Sequence, residues 1–266
     1  MHRKVFYIAI DNLDPNFLGY LGKEMHTKFI DILAKDSFSL NKHFCSSPKN
    51  NFFNVLTGMF KPDIAEHPSL TDLMSRDFGG VCITNQKNFK ATKEKYVDES
   101  LIDFIIHPMD MTSKAIKYIK NEELGFVYFH HTIIDAKPVD TTYAEQIYKA
   151  DIAVGKLLAG IEEFGDYEES YIVLAGTDID SPCLFKAPSE RNKFLYNASR
   201  NVNFVSRDVD ILPTIFDMEE EYHRMPVNID GVSLTNNLVG KDQKLTAFCN
   251  VDEKINVYNH KGKQLV

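Results

Sequence analysis

The sequence contains no tryptophan and only four cysteines among its 266 residues. It also has no apolar run approaching the roughly 20 residues that a membrane-spanning helix requires, so no transmembrane segment is expected. Cys45, Cys82, Cys183 and Cys249 stand far apart, without a Cys-x-x-Cys pair, which excludes the common structural zinc motifs and makes buried, reduced thiols the expectation. Basic residues are outnumbered: 30 Lys and Arg face 38 Asp and Glu, for a net charge of −8. The lysines are scattered, so nucleic acid, whose backbone demands clustered positive charge, is not an expected partner. Neither a Gly-rich phosphate loop nor a GxGxxG element follows the first apolar segment, which argues against a nucleotide-binding protein. Met1 to Lys4 leads at once into a short apolar run with no signal-peptide pattern, and a cytoplasmic protein is the expectation.

What is present is an alternation of strands and helices. At 44% hydrophobic residues the chain can bury one large core. Strands are predicted at Val5–Ile10, Gly80–Thr84, Gly125–His130, Tyr171–Ala175 and Lys193–Tyr196. Amphipathic helices are predicted at Thr27–Lys35, Asn51–Thr57, Ser69–Arg76, Thr112–Lys120 and Tyr143–Phe164. Ile147, Ala150, Ile152, Val154, Leu157, Leu158 and Ile161 give the last of these an apolar face at close to helical spacing. Such alternation predicts an α/β fold with a mainly parallel central sheet covered by helices on both faces. Leu245–Asn250 and Lys254–Asn259 read as short antiparallel strands. The chain is therefore expected to form a single domain over residues 1–266, with 240–266 as a small C-terminal strand appendage. Twelve tyrosines and nineteen phenylalanines are accounted for by core packing.

The chemistry-bearing positions begin at the end of the first strand. Val5-Phe6-Tyr7-Ile8-Ala9-Ile10 runs straight into Asp11-Asn12. In an open α/β sheet, ligands bind where strands deliver their carboxyl ends, so Asp11 is either a site residue or a cap for the following turn. The order of elements, taken with their residues, resembles the sulfatase branch of the alkaline phosphatase superfamily along nearly the whole chain. Ile10–Gly22 resembles its Asp-Asp segment and the Leu-Gly stretch behind it, and Phe29–Phe38 its next helix. Leu56-Thr57-Gly58-Met59-Phe60 resembles the end of its nucleophile-bearing helix, and Ser69–Met74 the helix leading to the next strand. Lys114–Ile119 followed by Phe126–His131 resembles its helix and His-bearing strand. Asp208–Ile215 and Asp230-Gly231-Val232-Ser233-Leu234 resemble its Asp-x-x-Pro-Thr and Asp-Gly-x-Ser-Leu signatures.

That resemblance implies hydrolysis of sulfate or phosphate esters, with a divalent cation polarising the ester and a nucleophile at a helix N-terminus. The metal ligands it implies are Asp11, Asn12 and Asp178, with calcium, magnesium or manganese suited to such oxygen donors. A centre with no cation is the alternative, because Asn12 stands where the family has a second Asp. The second ligand motif has two registers: one puts Thr177 and Asp178 in the ligand positions, the other Asp178 and Ile179. The nucleophile is the largest departure. Counting ten residues back from Gly58 lands on Pro48, which has no nucleophilic group; Ser47 is reached by a one-residue slip and Ser46 by aligning on the following proline. Ser47 before Pro48 is also a good N-cap. The family's arginine is missing, although Lys49 offers a positive charge. His131 is the expected general base, with the reservation that adjacent His130 and His131 must point to opposite faces of a strand. Two functions follow: an eroded, non-catalytic centre that binds a small anionic ester or glycan-type ligand or a protein partner in the old cleft, and an active metal-dependent hydrolase or transferase of phosphate or sulfate esters.

Overall fold

The structure is a computed structural model that describes residues 3–23, 27–46, 51–60, 79–84, 102–104, 108–120, 124–132, 141–164, 167–178, 181–191, 201–221, 225, 228–241, 247–251, 254–258 and 264. Ten strands and six α-helices fall within these ranges. In chain order they are β1 (Val5–Asp11), α1 (Lys28–Lys35), β2 (Phe38–Phe44), α2 (Asn51–Thr57), β3 (Gly79–Thr84), β4 (Ile102–Phe104), α3 (Pro108–Ile119) and β5 (Leu124–Thr132), followed by α4 (Thr141–Glu163), β6 (Tyr171–Gly176), β7 (Ser181–Lys186), β8 (Asn201–Arg207), α5 (Ile211–Met218), α6 (Thr235–Leu238), β9 (Ala247–Val251) and β10 (Lys254–Tyr258). The predicted helix 69–76 and strand 193–196 lie outside the described residues.

Eight strands form one sheet in the order β4-β3-β5-β1-β6-β7-β2-β8. β1 pairs in parallel with both β5 and β6, and β3 with β4 and β5. β7 runs antiparallel to β6 and β2, while β2 and β8 are again parallel to one another. The sheet is thus parallel but for β7, and α/β as expected. Because the parallel strands share a direction, Asp11, Phe44, Thr84, Thr132, Gly176 and Arg207 end on one edge, where an open α/β sheet places its chemistry.

β1 is central and buried on both sides, which explains its unbroken apolar sequence. Val5, Tyr7 and Ala9 face a layer that includes Val55 and Leu56 of α2 and Ile211, Leu212, Ile215 and Phe216 of α5. Phe6, Ile8 and Ile10 face the opposite layer, with Ile30 and Leu33 of α1, Met111, Ala115 and Ile119 of α3, and the predicted stripe of α4 except Ile152, which is only half-buried. The short α1 lacks a side-chain cap of its own. Its first N–H groups are taken instead by the buried Asp151 carboxylate of α4, which accepts from Phe29 at 3.0 Å and Ile30 at 2.9 Å. That bond pins α1 to α4 beneath the loop that follows Asp11.

β9 and β10 make a separate antiparallel pair with Lys254 opposite Val251, as the tail sequence predicts, and β9 lies against β2 and β8.

Candidate active site

Three strand ends meet around Asp11. Its Oδ1 accepts the His130 Nε2–H at 2.8 Å and the Thr177 hydroxyl as well. The sheet register explains both contacts. His130 pairs with Ala9 on the face that carries Tyr7 and Tyr128, and Thr177 follows β6 directly beside Asp11, its N–H donating to the Ile10 carbonyl at 3.3 Å. On its other side His130 Nδ1 lies 3.1 Å from the Thr84 hydroxyl at the end of β3. With Nε2 turned to the carboxylate and Nδ1 to the Thr84 hydroxyl, both ring nitrogens are engaged. The ring is clamped between β1 and β3.

His131, the expected general base, is placed elsewhere. Alternation along β5 turns it to the face of Ile10 and Phe129, away from the Asp11 contacts, and burial lowers its pKa to about 4. His130 is therefore the imidazole at the strand-end cluster. The register that distinguishes the two is not a property of β5 alone, but Tyr128 and Phe126, aromatic and two residues apart, mark the face that His130 shares.

Asp178 comes near Asp11, as expected. Its pKa is raised by burial and then by the Asp11 charge, and the Asn12 N–H on its carboxylate opposes the rise. Its backbone is tied down by Ser181, whose hydroxyl accepts from the Asp178 N–H at 2.9 Å and donates to the Asp178 carbonyl at 2.8 Å. Of the two registers weighed for this segment, the structure brings Thr177 and Asp178 to Asp11; Ile179 and Asp180 lie outside the described residues. Asn12 sits in the left-handed region at φ 56° with an exposed side chain. Tyr143 of α4 fixes that turn, donating its hydroxyl to the Asn12 carbonyl and accepting the Asp14 N–H at 2.9 Å.

These donors do not fit a divalent cation. Calcium takes six to eight oxygen ligands, and magnesium a near-ideal octahedron. Here the Oδ1 of Asp11 is directed at two protein donors, the Thr177 hydroxyl gives its proton to that oxygen, and the Asn12 carbonyl accepts the Tyr143 hydroxyl. Among the described residues no three His, Cys, Asp or Glu side chains converge as cation ligands.

The nucleophile segment leads away from Asp11 to a second carboxylate. Ser46 is 3% exposed, and both its N–H, at 3.2 Å, and its hydroxyl, at 2.6 Å, donate to Oδ1 of Asp208. The Cys45 thiol lies 3.5 Å from Oδ2 of the same carboxylate. Asn54 donates to Oδ2 at 3.0 Å, Asn51 at 3.4 Å, and the Val209 N–H to Oδ1 at 2.9 Å. Asp208 is fully buried at the end of β8; burial raises its pKa and the Ser46 and Asn54 bonds oppose that. It thus ties Cys45 and Ser46, which follow β2, to Asn51 and Asn54 of α2. The Cys45 N–H donates to the Asp178 carbonyl at 3.4 Å, so the two clusters adjoin. Asp208 was not foreseen as a site residue: the Asp-x-x-Pro-Thr spacing falls on Asp210-Ile211-Leu212-Pro213-Thr214 and gives Asp208 no role. Ser47, Pro48 and Lys49 lie outside the described residues.

Removing this anchor has a measurable outcome. Asp208→Ala strips several buried donors of a charged acceptor, at about 1.5–3 kcal/mol for each such bond, offset by release of the carboxylate's burial cost. The expected net loss is roughly 2–4 kcal/mol in urea unfolding, against about 1 kcal/mol for Ser46→Ala, which removes one donor. Equal losses for the two variants would refute the anchoring role.

No protein-family model matches the sequence, and no curated protein sequence does. Solved structures match over nearly all of it. Ps i-CgsB in complex with k-i-k-neocarrahexaose is 16% identical, with 98% of this chain and 82% of that chain covered at a TM-score of 0.66. BT1596, a 2-O GAG sulfatase, is 12% identical, with 99% and 84% covered at 0.67. The lipoteichoic acid synthase LtaP from Listeria monocytogenes is 14% identical, with 100% and 86% covered at 0.61. At these identities the likeness is one of fold, and the fold is that of the sulfatases.

Proposed function

We propose that this sulfatase-fold chain has an eroded catalytic centre and uses the cleft at the carboxyl edge of its sheet to bind a ligand without cleaving an ester. The observation that carries this reading is the Ser46 hydroxyl, held at 2.6 Å by a buried carboxylate and shielded from solvent. A serine so placed is a donor in a structural network rather than a nucleophile that an ester can reach. The Asp11 oxygen that receives His130 and Thr177 supports the same reading, because the imidazole must leave Asp11 before its Nε2 can serve a substrate.

A glycan-type ligand suits the cleft better than a small anionic ester. Two neighbouring carboxylates, Asp11 and Asp178, repel an anion that no cation screens, but accept hydrogen bonds from sugar hydroxyls. The carbohydrate in the Ps i-CgsB complex is in keeping with such a ligand. Cys45, Cys82 and Cys183 are buried free thiols, which supports a reducing compartment such as the cytoplasm. No helix among the described residues is long and apolar enough to cross a membrane.

A second reading, an active phosphate or sulfate ester hydrolase or transferase, draws its support from the Asp11, Asp178 and His130 grouping at the strand ends. Turnover decides between the two. The purified protein is expected to hydrolyse p-nitrophenyl sulfate and p-nitrophenyl phosphate no faster than its Asp11→Ala variant, with or without added magnesium, calcium or manganese. Turnover that Asp11→Ala abolishes would establish the hydrolase.

A further inference from the structure

We infer that the place of a catalytic cation is filled in this chain by its own side chains: the His130 imidazole and the Thr177 hydroxyl complete the coordination of Asp11, so that the centre is whole without a metal. The argument starts from the demand of the carboxylate. Asp11 ends a central strand with 15% of its side chain exposed, too little for water to solvate the charge fully. A carboxylate in that position needs either a cation or converging donors. The structure supplies donors from both neighbouring strands, His130 Nε2–H from β5 at 2.8 Å and the Thr177 hydroxyl from β6, on the same oxygen.

Two further features make this a built arrangement. The His130 ring is not swung in by chance, for Thr84 on β3 holds its other nitrogen at 3.1 Å, and ring stacking of the same face continues through Tyr128 and Tyr7, whose centroids lie 5.2 Å apart. Thr177 stands in the position that the parallel register sets directly beside Asp11. A neutral hydroxyl there donates to Asp11 and adds no charge, whereas an aspartate would repel it and require a cation. A cation reaching Oδ1 has to displace both donors, and the displaced imidazole would be left in a site that is only 5% exposed. A cation at Oδ1 therefore competes directly with the bonds described here.

This inference concerns cation binding and stands apart from turnover, so the two fail separately. Metal-independent ester turnover would sink the proposed function and leave this inference intact; stoichiometric cation binding without turnover would do the reverse. The test uses the full chain. Its melting temperature is recorded in chelator and in millimolar magnesium, calcium or manganese, with manganese content measured after desalting and the His130 ring nitrogen shifts followed by NMR. The expected result is no bound manganese, a melting temperature that changes by less than about 1 °C, and an Nε2–H signal that persists in every condition. A rise of about 5 °C in any one cation, which is what a ligand at a hundred times its Kd gives a domain of this size, would overturn the inference, as would loss of the Nε2–H signal on adding it. The companion variant, His130→Ala with Thr177→Asp, removes both donors and adds a carboxylate. It is expected to melt lower in chelator than the parent and to gain a cation-dependent rise that the parent lacks. Should it not fold, the parent measurements decide alone.

Discussion

Gly231→Ala is expected to abolish or nearly abolish folding, with a stability loss of at least about 4 kcal/mol. A Cβ added at Gly231 would lie 1.9 Å from the Val209 carbonyl oxygen and 2.7 Å from its carbon. These are backbone atoms of the segment between β8 and α5, so no side-chain rotation relieves the overlap. The close approach exists because two stretches of chain are latched together there. The Gly58 carbonyl, at the end of α2, accepts the N–H groups of Asp230 and Gly231 at 2.9 Å each. Asp230 in turn accepts the Phe60 N–H at 2.8 Å. Asp210 completes the latch: it accepts Arg207 Nη2 at 2.6 Å and the Val232 N–H at 2.9 Å, all in the interior. Displacing the Gly231 backbone would strip partners from this buried pair, which is the costly way to break one. The measurement is soluble yield and urea unfolding of Gly231→Ala beside Gly240→Ala. Gly240 has open space around its Cβ position and a φ of +83°, so that variant bears backbone strain alone. A Gly231→Ala protein as stable as the Gly240→Ala control would refute the latch.

The latch also explains what the sequence motifs were reporting. Leu56–Phe60, Asp208–Ile215 and Asp230–Leu234 resemble three separate family signatures, and in space they are one structural device that fixes the end of α2 to the start of α5. The bonds that these three segments make join backbone to backbone and close a buried ion pair, so the device is one of fold. Strands β1 and β6 were readable because they are central and apolar throughout. β2, β7 and β8 were not, because each carries polar residues whose partners only the assembled sheet supplies. The Lys186 side chain at the end of β7 is buried and reaches the carbonyls of Tyr167 and Ser170. His43 on β2 bonds Ser206 on β8 at 3.0 Å. Neither pairing has a local signal. The same limit applies to the site. Asp11 announces itself at the end of an apolar strand, but the choice of His130 over His131, and of Asp208 as the partner of Ser46, depends on pairings across more than a hundred residues of sequence.

Acidification from about pH 7 to about pH 5 is expected to cost the protein roughly 4 kcal/mol of stability, and two histidines account for it. His43 is completely buried, and burial lowers its pKa to about 3. His131 is lowered to about 4, first by burial and then by His130, with Asp11 acting in the opposite sense. Nε2 of His43 and Nδ1 of His131 are buried and meet no hydrogen-bond partner among the described residues, so a proton placed on either nitrogen gains no hydrogen bond there. Both values lie below the ordinary imidazole value of about 6.5. The unfolded chain therefore binds protons in this range that the native state refuses. Stability is complete above about pH 6.5 and falls as the pH drops toward the folded values, by about 2 kcal/mol per histidine at pH 5. The raised carboxylates, Asp151, Asp178 and Asp208, act oppositely, since a native state that holds protons more tightly than the unfolded chain gains stability as the pH falls. Their gain is made between about pH 4 and their raised folded values, so it subtracts from the loss that the histidines set. Urea unfolding at several pH values measures the slope directly. His43→Leu removes one of the two groups at similar volume and is expected to halve the loss over this interval while costing about 1 kcal/mol at neutral pH through its bond to Ser206. A variant with the parent's pH slope would mean that His43 accepts a proton in the native state, and the buried site between β7 and β8 would have to open to water.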